Sequence, residues 1–354
     1  MLAETLLLFA VALAGFFVFR VCHLPTPAFL GPMLFAGALN YFYLYPDISL
    51  DIPSFFAKIV LGVTLGRTFN RGMLSTLREL PLPALITSLW MMGASLIAGF
   101  FLHYWSDLPL GTALIGSAAG GVIEMAVFAM ALGFDAVTVT FIQIFRLITS
   151  IITVPLIARA WQKSYARRGV EPAVREAKPQ TTAAAVIGKF EVRHYLLLGV
   201  VTLITGGACE LVHIPAGAML GSLFGSAIVA LATGRECVLS SWVTRLAQLF
   251  LGIIIAESMT HDTLVALADL FLPLFVPTVV LLILCLVLSL ILARVTHWDP
   301  MTCILAAMPA GLIQIVPIAD EYGANVLQVA VMHTVRLISI VCLLPWIIRF
   351  IISL

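Results

Sequence analysis

Two arginines carry the chemical interest of this chain. Arg146 and Arg336 each lie near the middle of an apolar run long enough to cross a membrane. A cation at mid-bilayer is costly, and such groups face a bundle interior or a water-filled path. Gln143 and His333 sit one turn before them, on the same helical face. Upstream, Glu124 and Gln314 hold matching places, three residues past Gly121 and Gly311. An acid, two amides, an imidazole and two guanidiniums inside a membrane suit the binding of a small polar or anionic solute. The acid would couple its passage to H⁺ or Na⁺. Two plainer roles compete: Glu124 and Gln314 would cap their own helices, and each arginine would tie down carbonyls at a helix break or pair with Glu124.

The elements that must position these groups are broken helices. Residues Leu108–Asp135 read LPLGTALIGSAAGGVIEMAVFAMALGFD, and Trp298–Asn325 read WDPMTCILAAMPAGLIQIVPIADEYGAN. Each has a breaker at its centre: Ala119, Gly120 and Gly121 in one, Pro309, Ala310 and Gly311 in the other. Glycine frees the backbone, and proline removes a donor and clashes with the preceding turn. Two half-helices meeting at a non-helical tip are expected over 108–133 and again over 298–323. Irregular backbone at membrane depth is tolerated only inside protein or beside a wet cavity. The half-helix after each tip aims its N-terminal N–H groups and dipole at it. The candidate binding residues are therefore Gly120, Gly121, Glu124, Gln143 and Arg146, with Pro309, Ala310, Gly311, Gln314, His333 and Arg336. Asp135 and Asn325 follow Gly133 and Gly323 and are expected to cap helices.

All of these pairs share one offset. Residues 23–34, HLPTPAFLGPML, return as residues 213–224, HIPAGAMLGSLF, 190 positions later. Leu61 and Gly62 match Leu251 and Gly252, and Pro155 matches Pro345, without a gap. The chain is a duplication, as secondary transporters commonly are. The copies are residues 1–160 and 194–354. Between them lies a polar linker, 161–193, with seven of the nineteen Lys and Arg residues.

Composition places the chain in a membrane. Of 354 residues, 62% are hydrophobic and 10% charged, against about half and a quarter in soluble domains. A net charge of +1 makes no case for nucleic acid. The six cysteines and seven histidines lack metal-ligand spacing, so no metal, cofactor or enzymatic chemistry is expected. Apolar runs fall at about 3–20, 27–45, 53–70, 82–104 and 136–158, then at about 195–212, 215–232, 241–258, 271–293 and 326–348. The loop after the third run is basic through Arg67, Arg71 and Arg78, and Arg20 lies on the same side. In the second copy those places hold Glu257, His261, Ala268 and Glu210. A charge bias that reverses between copies predicts inverted topology, with the linker cytoplasmic and both termini periplasmic. Inversion needs an odd number of crossings, so each copy is expected to have five spanning helices plus one re-entrant hairpin, or a broken crossing helix. The fold class is thus an all-α integral membrane protein of two inverted repeats.

The run GGVIEMAVFAMALGFDAVTVTFIQIFRLI resembles the repeat of the bacterial AbrB membrane family. The matching positions are Gly120, Gly121, Glu124, Met125, Gly133, Asp135, Gln143, Arg146 and Leu147. The second copy keeps Gly311, Gly323, His333, Arg336 and Leu337 but departs at Gln314 and Asn325. Members carry the labels regulator and ammonia monooxygenase. Composition opposes a DNA-binding regulator, and the missing His and Cys clusters oppose a copper or iron monooxygenase. The family resembles the cation–proton antiporter and anion transporter superfamily. That implies an ion-coupled transporter of the bacterial inner membrane, a homo-oligomer with the lipid bilayer and a small solute or ion as its partners. The alternative is a non-transporting scaffold or regulator whose linker docks a cytoplasmic partner.

Overall fold

The computed structural model describes residues 2–42, 45–46, 48–67, 69, 71–167, 192–235, 239–260, 263, 267 and 269–353. The described residues form α-helices and no strands. The helices are α1 (Leu2–Val21), α2 (Pro27–Tyr41), α3 (Asp51–Gly66), α4 (Arg71–Glu79), α5 (Pro81–Trp105), α6 (Leu110–Ser117), α7 (Val122–Ala131) and α8 (Ala136–Arg167). Then follow α9 (Val192–Leu211), α10 (Gly217–Thr233), α11 (Ser241–Ala256), α12 (Phe275–Thr296), α13 (Pro300–Ala307), α14 (Leu312–Glu321) and α15 (Val326–Ser353). The 190-residue offset reproduces both ends of α1, α3, α6 and α7 in α9, α11, α13 and α14. It also reproduces the starts of α2 and α8 in α10 and α15.

Among the described residues six helices are long and apolar enough to cross a bilayer: Glu4–Val21, Pro81–Trp105, Ala136–Arg159, Arg193–Leu211, Phe275–Thr296 and Val326–Ile352. The chain is a multi-pass membrane protein. The runs expected at 27–45, 53–70, 215–232 and 241–258 form helices of only 15 to 17 residues. At 1.5 Å per residue these reach about 25 Å, short of the roughly 30 Å hydrocarbon. The basic loop after the third run contains the nine-residue helix α4. The run expected at 271–293 starts four residues late, at Phe275. Most of the linker, 168–191, lies outside the described residues.

The chain forms two compact units, and each draws on both copies. The first holds residues 1–71, 122–141 and 191–271; the second holds 72–121, 142–190 and 272–354. In the first unit α2 packs on α1 and α11, and α10 packs on α3 and α9. Gly15 on α1 and Gly31 on α2 meet so closely that a Cβ on either would strike the other's carbonyl. Short, buried helices with small contact residues bring backbones together without a hydrophobic drive from water.

In the second unit α5 packs against α6, α12 and α15, and α13 against α12 and α15. Gly133 and Gly323 follow α7 and α14 with φ of 75° and 68°. The next residue's N–H returns to the helix in both copies, Phe134 to Ala129 and Ala324 to Ala319, each at 2.8 Å. This is a Schellman ending, which needs a left-handed residue and so favours glycine.

Candidate functional site

Both expected breaks are present. α6 ends at Ala118 in extended backbone (φ −61°, ψ 134°), and α7 begins at Val122. α13 ends at Met308 (φ −65°, ψ 142°), and α14 begins after Gly311 (φ −74°, ψ 153°). A helix that stops here leaves its last carbonyls without intrahelical partners. In a membrane such groups must find donors within the protein.

The arginines supply them. Arg146 donates through one terminal nitrogen to the Ala118 carbonyl and through the other to Gly120 (2.9 Å) and to Gln143 Oε1 (2.5 Å). Gln143 Nε2 donates to the carbonyls of Ile115, Gly116 and Ala118 at 3.1, 3.0 and 2.9 Å. The second copy repeats the clamp. Arg336 donates to the carbonyls of Met308 (2.7 Å) and Ala310 (2.9 Å) and to Nδ1 of His333 (3.1 Å). His333 Nε2 reaches the Leu305 carbonyl at 2.9 Å. A carbonyl only accepts, so Nε2 carries the proton, Nδ1 accepts, and the ring is neutral. Each arginine thus sits at the negative end of a half-helix as a cationic cap. Of the roles open to the arginines, the structure displays the tie to helix-end carbonyls.

These four residues are among the most buried polar groups described: Gln143 and His333 are 0% and 2% exposed, Arg146 and Arg336 6% and 5%. Among the described residues no carboxylate bonds to either guanidinium. In both copies the same donor, Nε–H, is buried with no partner. Ser150, one turn past Arg146, donates to the Pro309 carbonyl at 3.4 Å, so the helix of the first clamp touches the second break. A small cavity beside Arg146 is lined by Gly116, Ser117, Ile142, Pro277 and Thr278.

A pair missed in sequence completes the breaks. Wholly buried Ser95 of α5 accepts the Ala119 N–H at 3.0 Å. Its counterparts 190 positions on are Cys285 and Pro309. Proline has no N–H, so the second copy needs no acceptor there and holds a thiol instead. Only the joint change Ser/Ala to Cys/Pro would have signalled this contact.

The other candidates divide. Gly120 and Ala310 serve the clamps through their carbonyls, and Pro309 through its contact with Ser150. Gly121 and Gly311 end the breaks. Glu124 belongs to the first unit and is half-buried on α7. The side chain of Gln314 lies outside the described residues. Asp135 caps α8, accepting from the N–H groups of Val137 and Thr138 and the Thr138 hydroxyl. Asn325 caps α15 through the Gln328 N–H. Asp320 and Glu321 are exposed.

The family model described as "Transition state regulatory protein AbrB" matches residues 52–352. The chain belongs to the AbrB family. It is 28% identical over 338 residues to the Escherichia coli (strain K12) protein named "Putative regulator AbrB", covering 94% of this chain and 92% of that one. It is 23% identical over 300 residues to "Uncharacterized protein YhjN" of Bacillus subtilis (strain 168), covering 81% and 76%. The family match spans both clamps of this AbrB protein, from α3 to the end of α15.

Proposed function

We propose that this AbrB-family protein is an ion-coupled secondary transporter of a small polar or anionic solute. It works by alternating access, with its site at the paired helix breaks. The observation that carries this reading is the duplicated clamp: two buried arginines, each holding the end of a broken helix. A protein needing only rigid spans has no use for two interrupted helices in its interior, because interruption exposes backbone that must then be satisfied. Paired discontinuous helices are how transporters build polar sites at membrane depth. Glu124, three residues beyond the first break, would take and release the coupling ion. Inverted repeats and re-entrant arms would give the two clamps equivalent roles from opposite faces. We place the protein in the bacterial inner membrane as a homo-oligomer, with the linker cytoplasmic and both termini periplasmic.

The test is flux in proteoliposomes holding a pH-sensitive dye, challenged with a panel of small anions and polar solutes. At least one solute is expected to move H⁺ or to depend on a Na⁺ gradient. Glu124→Gln should abolish that coupled flux while the protein still folds. Unaltered flux would remove Glu124 from the mechanism.

The word regulator in the names of the family and of the E. coli relative favours a second reading, a non-transporting scaffold with a cytoplasmic partner. Deleting 168–191 separates the two. A transporter keeps its flux, and a scaffold loses its partner and phenotype.

A further inference from the structure

The charge around the clamps in the second unit does not balance. Arg146 and Arg336 each bring one positive charge. Among the described residues their partners are carbonyls, an amide oxygen and a neutral imidazole nitrogen, and none is a carboxylate. The negative ends of α6 and α13 are offset by the positive starts of α7 and α14 at the same breaks. Positive charge is therefore left over, in a place where an isolated charge is costly. An arginine has five N–H donors, and three bonds are made in each clamp, which leaves two. The buried nitrogen left with no partner at all is Nε in both copies. Coincidence explains one orphaned donor more easily than the same one twice. Buried donors without partners ask for an acceptor.

We infer that Arg146 and Arg336 together form one anion seat, and that the transported solute carries a carboxylate or similar oxyanion. This rests on the transporter reading and narrows it. The Nε–H left over in each clamp would give such a group a charge-assisted hydrogen bond. The carbonyl clamps fix each guanidinium in place, so little rotamer entropy remains to be lost on binding. Cys285 is wholly buried and holds on α12 the place that Ser95, which bonds the first break, holds on α5. A carboxylate built there would stand in for the bound anion.

The test uses the full chain in detergent, in a low-salt zwitterionic buffer, and reads the melting midpoint. Sodium acetate should raise the wild-type midpoint, by about 3–4 °C at a hundred times its Kd; acetamide, the same shape without charge, should not. Cys285→Asp should melt above Cys285→Asn, a variant of nearly the same volume, and should lose the acetate response. The inference is overturned if acetate gives no rise in the wild type. It is also overturned if Cys285→Asp responds like the wild type, or melts below Cys285→Asn. Should both variants fail to fold, the wild-type comparison of acetate with acetamide decides alone. Acetate stabilisation without any coupled flux keeps the anion seat and sinks the transporter reading. Coupled flux of an uncharged solute, with no acetate response, does the reverse.

Discussion

The two breaks solve one problem with different residues, and the differences are paired. In the first, an amide with two N–H donors, Gln143, serves three carbonyls. In the second, an imidazole with one N–H, His333, serves one. In the first, Ala119 has an N–H that Ser95 must accept; in the second, Pro309 has none and Cys285 accepts nothing from it. The arginines alone do the same work in both. The lesson is that the duplicated arginine holds the break, while the residues around it are free to change as long as donors and acceptors still match.

The largest effect should come from the arginines. Arg146→Met or Arg336→Met leaves buried carbonyls without donors, at about 1.5–3 kcal/mol for each lost hydrogen bond to a charged group. Several kcal/mol and loss of most folded protein are expected, measured by melting in detergent. A large gap between the two variants would break the equivalence of the clamps.

Next comes the amide–imidazole exchange. His333→Gln should be nearly neutral, because Gln also presents one acceptor and a donor. Gln143→His should cost about 1–3 kcal/mol, since one ring N–H cannot serve three carbonyls. Equal costs would mean that the carbonyl contacts of Gln143 carry no weight.

Ser95→Ala strands the buried Ala119 N–H and should cost about 1–3 kcal/mol. Cys285→Ala should cost only its packing, about 1 kcal/mol. Adding Ala119→Pro to Ser95→Ala should recover stability in a double-mutant cycle; no recovery would dissolve the proposed exchange. The smallest difference is expected at the caps. Asp135→Ala should cost about 1 kcal/mol, and Asn325→Asp should gain a few tenths from the dipole of α15. A loss at Asn325→Asp would show that the two capping sites do not behave alike.

Much of this was open to sequence. The repeat, the broken segments and the pairs Gln143–Arg146 and His333–Arg336 all follow from one fixed offset and from where Gly and Pro fall. The caps at Asp135 and Asn325 follow from their places after Gly133 and Gly323. The role of each arginine stayed open, because a mid-span cation can serve a ligand, an acid or a carbonyl equally well by spacing. The lengths of α2, α3, α10 and α11 were also hidden, since hydropathy counts apolar residues and cannot see where a helix stops.

Sequence alone determined that the chain is a duplicated, all-helical membrane protein with a break in each half, because period, composition and breaker residues are local properties. Tertiary structure decided which groups meet. Arg146 bonds carbonyls 26 and 28 residues away, and Ser150 touches Pro309 across 159 residues. Such partners are chosen by the need to satisfy every polar group in a medium without water, and that choice exists only once the helices have packed.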